Sequence, residues 1–187
     1  MKKILFLFSI FLVSTSFAQA PSSVKTFFLK GGISAPAFGH WGDGDSGFKP
    51  AGNMSALFIK DIDEGLSWGV ESGYDAGHKN RALNLKVSVF SLSPVLFSWL
   101  GISERKYYVY LGPGVYHWTS PKSGSFDSSS GTEFGFKVGG GFLKSWRYDL
   151  LFGAEIRLEH LFDMSGENFN LGSANNFVFS LTAAKRI

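Results

Sequence analysis

The chain has 187 residues, of which 44% are hydrophobic, 18% charged and 17% aromatic, with 23 glycines and no cysteine. That length fits one domain, and the aromatic load excludes a disordered chain. The lack of cysteine excludes a disulfide scaffold, a thiolate zinc site and a cysteine nucleophile, and a formal charge of +3 is too small to point to nucleic acid.

Residues 1–20 read as an export signal. Met1, Lys2 and Lys3 make a basic start, Ile4 to Val13 is apolar apart from Ser9, and Ala18-Gln19-Ala20 places small residues before a cut after Ala20. The apolar core is shorter than the roughly 20 residues a membrane helix needs. No cysteine follows the cut, so lipoprotein anchoring is not expected. Removing two lysines and no acid lowers the formal charge from +3 to +1, which leaves a nearly neutral mature domain over 21–187.

Beyond Ala20 the apolar residues recur with period two, as half-buried strands require. In the first strand Phe27, Leu29 and Ile33 alternate with Thr26, Lys30 and Ser34. In the second Met54, Ala56 and Phe58 alternate with Asn53 and Ser55, although Leu57 and Ile59 interrupt the polar side. The third, Leu66 to Tyr74, sets Leu66, Trp68, Val70, Ser72 and Tyr74 against Ser67, Gly69, Glu71 and Gly73. The fourth sets Leu83, Leu85, Val87 and Val89 against Asn84, Lys86, Ser88 and Phe90, and continues as a long uncharged strand to Ile102. Pro94 and repeated serines argue against a helix there. The fifth, Tyr107 to Trp118, carries tyrosine on both faces, so its phase stays open, and Pro113 removes a ladder donor. The sixth pairs Phe134, Phe136, Val138 and Phe142 with Gly135, Lys137, Gly139 and Gly141. The seventh sets Leu150, Phe152, Ala154, Ile156 and Leu158 against Gly153, Glu155, Arg157 and Glu159, and the eighth sets Phe177, Phe179, Leu181 and Ala183 against Ser180 and Thr182.

The connections at 36–50, 75–81, 120–132 and 163–175 are rich in Gly, Ser, Asp and Asn, whereas those near 61–65, 100–106 and 144–148 are tighter. All four loop-like connections fall on the side away from the N-terminus. Short periplasmic turns and longer outer loops are the habit of outer-membrane barrels. The polar faces are mostly Gly, Ser, Thr and Asn, with a few charges of both signs: Lys30, Glu71, Lys86, Lys137, Glu155, Arg157 and Glu159. Such faces suit the tapered inside of an eight-stranded barrel, where side chains fill the space. These seven residues are expected to form a neutralising ionic network in the lumen, with a structural role. A gate or a paired-carboxylate acid/base site is the alternative use of the same residues.

The large apolar residues on the other face are expected to meet lipid. On that assignment Val87 faces lipid, where an arginine costs about 2–4 kcal/mol, and Ser88 faces the lumen. Phe58, Trp68, Trp99, Tyr107, Trp146 and Tyr148 lie near strand ends, as an interfacial aromatic girdle would. The reverse facing, with an apolar inside, would make a soluble lipocalin-like ligand-binding barrel in the periplasm.

Taken together, the signal and the segments YYVYLGPGVYHW, EFGFKVGGGF, LLFGAEIRLEHLF and NFVFSLTAAKRI resemble the small outer-membrane barrels of the OmpA/OmpX type. The resemblance covers nearly all of 21–187 and implies an all-β, eight-stranded antiparallel up-and-down transmembrane barrel in the cell outer membrane. It departs at Ile187, where such barrels usually carry an aromatic residue that assists assembly. The expected partners are membrane lipid and lipopolysaccharide, the barrel-assembly machinery, and a surface partner of the outer loops; no nucleic acid and no cofactor is expected.

The remaining chemistry is sparse. His40, His78, His117 and His160 fall in or beside different outer loops, and no spacing joins them into a metal site. Asp43 to Gly47 looks like an ordinary turn, because a calcium loop would need a later bidentate acid. RLEHLFDMSGENFNLG around His160 is loosely similar to the active strand of the lipid A deacylase barrels, which pair a histidine with a serine two residues on. Position 162 is Phe, and Ser165 lies beyond it in a loop. Gly139 to Gly141 could give room for a small apolar solute or only mark curvature. The sequence therefore favours a non-enzymatic barrel with a filled, non-conducting interior, whose outer loops, with Trp41, Phe48, Phe126 and Phe169, serve surface interaction.

Overall fold

The computed structural model describes residues 24–37, 41, 47–63, 65–81, 83–100, 105–122, 127–147, 149–166, 169–170 and 172–187. The signal expected over 1–20 lies outside them. The strands are β1 (Lys25–Ala37), β2 (Ala51–Asp63), β3 (Leu66–Asn80), β4 (Leu85–Leu100), β5 (Arg105–Ser120), β6 (Ser129–Arg147), β7 (Leu150–Leu161), β8 (Ser165–Gly166), β9 (Phe169–Asn170) and β10 (Ala174–Arg186). Eight of them close a ring in the order β1-β10-β7-β6-β5-β4-β3-β2, and β8 and β9 make a separate short hairpin between β7 and β10. Every seam of the ring is antiparallel, including the closing one from Thr26↔Arg186 to Ala37↔Asn175.

The outward face carries the greasy residues. Leu29, Ile33, Leu111, Phe179 and Leu181 are all more than half exposed, while Lys30, Glu71, Lys137 and Arg157 are buried inside. A soluble chain does not present such a continuous apolar belt to water. The ionic inside and greasy outside exclude the lipocalin-like arrangement. Trp68, Phe58, Tyr107 and Trp146 stand exposed on this belt. Trp99 does not join them: it turns inward and packs 4.9 Å from Phe97 and 6.2 Å from Phe28. Tyr148 lies outside the described residues.

Three layers fill the interior. At the end with the short turns, Phe28, Leu57, Ile59, Val95, Phe97, Tyr108, Tyr110, Leu143, Leu151 and Ala184 form an apolar cluster. This explains why Leu57 and Ile59 break the polar side of β2: they point into a greasy part of the lumen. The middle layer is ionic. At the loop end a second cluster joins Leu85, Val87, Val89, Tyr116, Trp118 and Leu161 to Trp41 and Phe48, which fold back from the β1–β2 connection. Their rings stack at 4.3 Å, and the Trp41 indole donates to Asn176 Oδ1 at 2.6 Å.

Four sequence expectations change here. Val87 is fully buried inside the barrel rather than facing lipid. Ser91, Ser93, Val95 and Phe97 on the same strand also point inward, so Lys86, Ser88 and Phe90 take the outward face. The apolar period on β4 was real, but the loop-end lumen is apolar, so the period does not identify the lipid side. Trp41 and Phe48 are buried at 0% and 5% exposure and are therefore part of the plug, not free loop aromatics; Phe126 and the Phe169 side chain lie outside the described residues. The second outer loop shrinks to residues 81–84, because β3 continues through a bulge between Asp75 and His78. Gly77 (φ 90) sits in that bulge, where its backbone conformation suits glycine, and the extra residue turns His78 into the lumen. The third loop shrinks to 121–128, because Ser120 still pairs with Ser129.

Two prolines mark the seam between β4 and β5. Leu92 pairs with Val115 and Leu96 with Leu111, so Pro94 and Pro113 face each other, and the ladder lapses over residues 93–95 and 112–114. The strands stay close because Gly112 has no side chain: a Cβ there would collide with the Pro94 carbonyl oxygen.

The inverted facing on β4 gives a direct check. Val87→Arg places an unpaired charge in a filled apolar layer and should cost more than about 3 kcal/mol, whereas Ser88→Arg should cost under about 1 kcal/mol. Urea titration of refolding, read by the heat-dependent gel shift of the folded barrel, measures both; a Ser88→Arg defect as large as that of Val87→Arg would contradict the assignment.

Candidate functional site

The middle layer is where chemistry-bearing side chains meet. Lys30 comes from β1, Glu71 from β3, Lys137 from β6, and Glu155, Arg157 and Glu159 from alternate positions of β7. Alternation places them all inward, and the register brings them to one level, with Lys137↔Glu159 and Gly139↔Arg157 as direct neighbours. Glu71 is the hub. Lys30 Nζ lies 2.9 Å from its Oε1, Lys137 Nζ 3.2 Å from its Oε2, and Arg157 Nη1 3.0 Å from its Oε1. Glu155 takes Lys30 at 2.6 Å and Arg157 at 3.3 Å. Glu159 takes Arg157 Nε at 2.8 Å and Lys137 at 3.5 Å. Three cations thus balance three carboxylates, all essentially without solvent exposure.

Neutral groups complete the layer. Tyr108 and Tyr110 donate their hydroxyls to the two oxygens of Glu155 at 2.9 and 2.7 Å, and Ser55 donates to Glu71 at 3.1 Å. Lys30 also sits 4.6 Å from the centre of the Tyr110 ring, a cation–π distance. A second cluster adjoins on the loop side. Asp75 accepts from Asn53 at 2.6 Å and Ser34 at 3.1 Å, and faces His78 Nε2 at 3.4 Å. Nδ1 of His78 lies 3.1 Å from the Lys49 carbonyl, to which it donates, and this ties the returning β1–β2 connection to the lumen. Arg157 Nη2 joins the two clusters through Asn53 Oδ1 at 3.3 Å.

Six of the seven residues expected in the lumen meet there. Lys86 does not: it lies on the outward face of β4, because Leu85 and Val87 take the inward positions. It lines a cleft of about 460 Å³ with Ser88, Thr119, Ser120, Pro121 and Ser128 to Ser130 at the loop end of β4, β5 and β6. Sequence reasoning missed Tyr108, Tyr110, Asn53, Ser55, Asp75 and His78 as partners. The tyrosines were legible in principle from the glycines opposite them. Tyr110 pairs with Gly139 and Tyr108 with Gly141, and a Cβ on either glycine would come within 2.8 Å of the tyrosine ring or hydroxyl. The room offered by these glycines is therefore filled by two aromatic rings.

The other candidate residues scatter. His117 is exposed on β5 and shares a 2.9 Å hydrogen bond with Thr132. His160 is half-buried on the outward face of β7, 2.7 Å from Asn175 Oδ1, with the rings of Phe136 and Phe162 each 5.1 Å away. His40 and residues 43–46 lie outside the described residues. Among the described residues no group of three His, Asp or Glu is arranged to hold a metal ion. On the arm of β6 that extends past the end of β7, desolvation and the charge of Asp163 push the Glu133 carboxyl above the usual carboxylate range.

A closed antiparallel ring with a lipid-facing apolar belt and an ion-paired lumen defines a transmembrane β-barrel. Its fold is that of the small eight-stranded outer-membrane barrels. Neisserial surface protein A superimposes with a TM-score of 0.59 at 13% identity, over 88% of this chain and 99% of that one. A major outer membrane protein of Thermus thermophilus gives 0.57 at 10% identity, over 89% of this chain and all of that one. Ail of Yersinia pestis, solved with the heparin analogue sucrose octasulfate, gives 0.54 at 13%, over 89% of this chain and 100% of that one. No family model and no curated sequence matches the chain. With its apolar belt, this fold places the protein in the outer membrane.

Removing the hub tests the layer. Glu71→Gln keeps the shape but leaves three cations facing two carboxylates, and should destabilise the barrel by about 3–5 kcal/mol. Equilibrium urea titrations in detergent micelles would show this as a lowered midpoint with an unchanged slope; a wild-type midpoint would mean that the lumen does not depend on Glu71.

Proposed function

We propose that this protein is a non-enzymatic outer-membrane barrel with a sealed body, which acts through the polar surface at its loop end. The single observation that carries this reading is the layered interior. Two apolar clusters enclose a neutral ionic network whose carboxylates are all engaged by cations, so the carboxylates have neither a substrate path nor a free proton-accepting role. The six-residue network is then structural: it fills the lumen and holds β1, β3, β6 and β7 together.

Among the described residues, the surface beyond the belt includes the β5–β6 hairpin and the β8–β9 excursion. It is rich in hydroxyls and mixed in charge. Lys122 pairs with Asp127 at 3.0 Å, both 72% exposed, and Glu133 and Asp163 add acid. That balance favours a neutral or hydroxyl-rich partner, such as a saccharide or a polar protein surface, over the highly sulfated ligand held by Ail. The deacylase reading finds no support at His160, because its neighbour at 162 is a phenyl ring.

Deleting residues 121–128 should leave the heat-dependent gel shift intact and abolish adhesion of cells carrying the protein to host matrix or to one another. Unchanged adhesion would remove the loop-end role. Lipid A mass spectra from cells with and without the protein should be identical, and planar bilayers should show no conductance; the loss of an acyl chain or a steady current would each overturn part of the reading.

A further inference from the structure

The rim at the short-turn end carries an arrangement that closing the barrel does not require. Lys25 on β1 stands directly opposite Lys60 on β2, and both are exposed on the outward face. Lys185 on β10, also exposed, stands opposite Phe27, two residues along β1 from Lys25. Like charges directly opposite each other in an antiparallel pair are destabilising. The nearby carboxylate of Asp61 is engaged by the Ser67 hydroxyl. One step toward the membrane core, Phe27 and Phe58 stand opposite each other on the same outward face, 40% and 43% exposed. A cationic cross-strand pair thus lies just beyond an aromatic pair.

We propose that this place holds an anionic phospholipid of the periplasmic leaflet. The rim with the short turns is the periplasmic one in barrels of this kind. A phosphate set between two opposed cations removes their repulsion and accepts charge-assisted hydrogen bonds from lysine. Residues of one strand face lie about 7 Å apart, which puts the aromatic pair at the depth of the glycerol and the first acyl carbons. Phosphatidylethanolamine fits less well, because its ammonium returns a positive charge to the cluster. A phosphatidylglycerol headgroup brings none. Free phosphate makes no use of the aromatic pair.

The test uses the full folded protein in detergent, titrated with phosphatidylglycerol, with phosphatidylethanolamine of the same acyl chains, or with inorganic phosphate, and read by native mass spectrometry. Wild type should retain one phosphatidylglycerol molecule, with several-fold preference over phosphatidylethanolamine. Lys25→Gln with Lys60→Gln should lose it. Lys60→Gln alone gives a milder check on fold, since it should keep the heat-dependent gel shift. In lipid-free detergent it should melt no lower than wild type, and phosphatidylglycerol should raise its melting midpoint less. Equal retention of the two lipids, unchanged retention in the variants, or displacement by inorganic phosphate at lipid concentrations would overturn the proposal.

Discussion

A backbone amide in hydrocarbon has no water to turn to, and everything else in this protein follows from that. Strands can enter lipid only if each is paired on both edges, and the seam between β1 and β10 supplies the last pairing. Once the ring is closed, its outer face is dictated by lipid, and Leu29, Ile33, Leu111 and Leu181 stand where that demands. The inner face is free of the rule. With eight strands it has room only for side chains, so it must be filled and neutral.

The filling is graded along the axis. Apolar layers at both ends exclude water from the middle, which strengthens each ion pair there and raises the cost of leaving any member unpaired. Glu71 answers this by touching cations from three other strands at once. Tyr108 and Tyr110 serve both layers: their rings belong to the apolar cluster at the short-turn end, and their hydroxyls reach Glu155. The loop-end lid needs material from outside the wall, and Trp41 and Phe48 supply it by folding back under the restraint of His78 and Asn176.

Much of this was legible in the sequence, for a physical reason. Glycine, serine and charge on one face of β1, β3, β6 and β7 suit a tight lumen, so Lys30, Glu71, Lys137, Glu155, Arg157 and Glu159 could be placed from alternation together with the composition of that face. Alternation gives a period, however, and not a side. Where the lumen itself is apolar the two faces look alike, and Lys86, Val87 and Trp99 therefore read onto the wrong one. On β5, with tyrosine at both parities, the side is decided by Gly139 and Gly141 across the seam, a long-range pairing that no local window contains. Trp41 and Phe48 read as loop aromatics because nothing nearby in sequence shows that the connection returns to the lumen.

Pro94 and Pro113 bear on how such a wall comes apart. Along the other seams an invading water or a pulling force meets a ladder broken only at local register shifts, but between β4 and β5 the stitching is missing at mid-height and the strands are held there by contact alone. A barrel has no free edge, yet here two strands meet as edges do. The amides flanking that gap are the ones to watch by hydrogen exchange, and a pulled barrel would part there with the least resistance, opening the ring into one sheet with β4 and β5 as its edges.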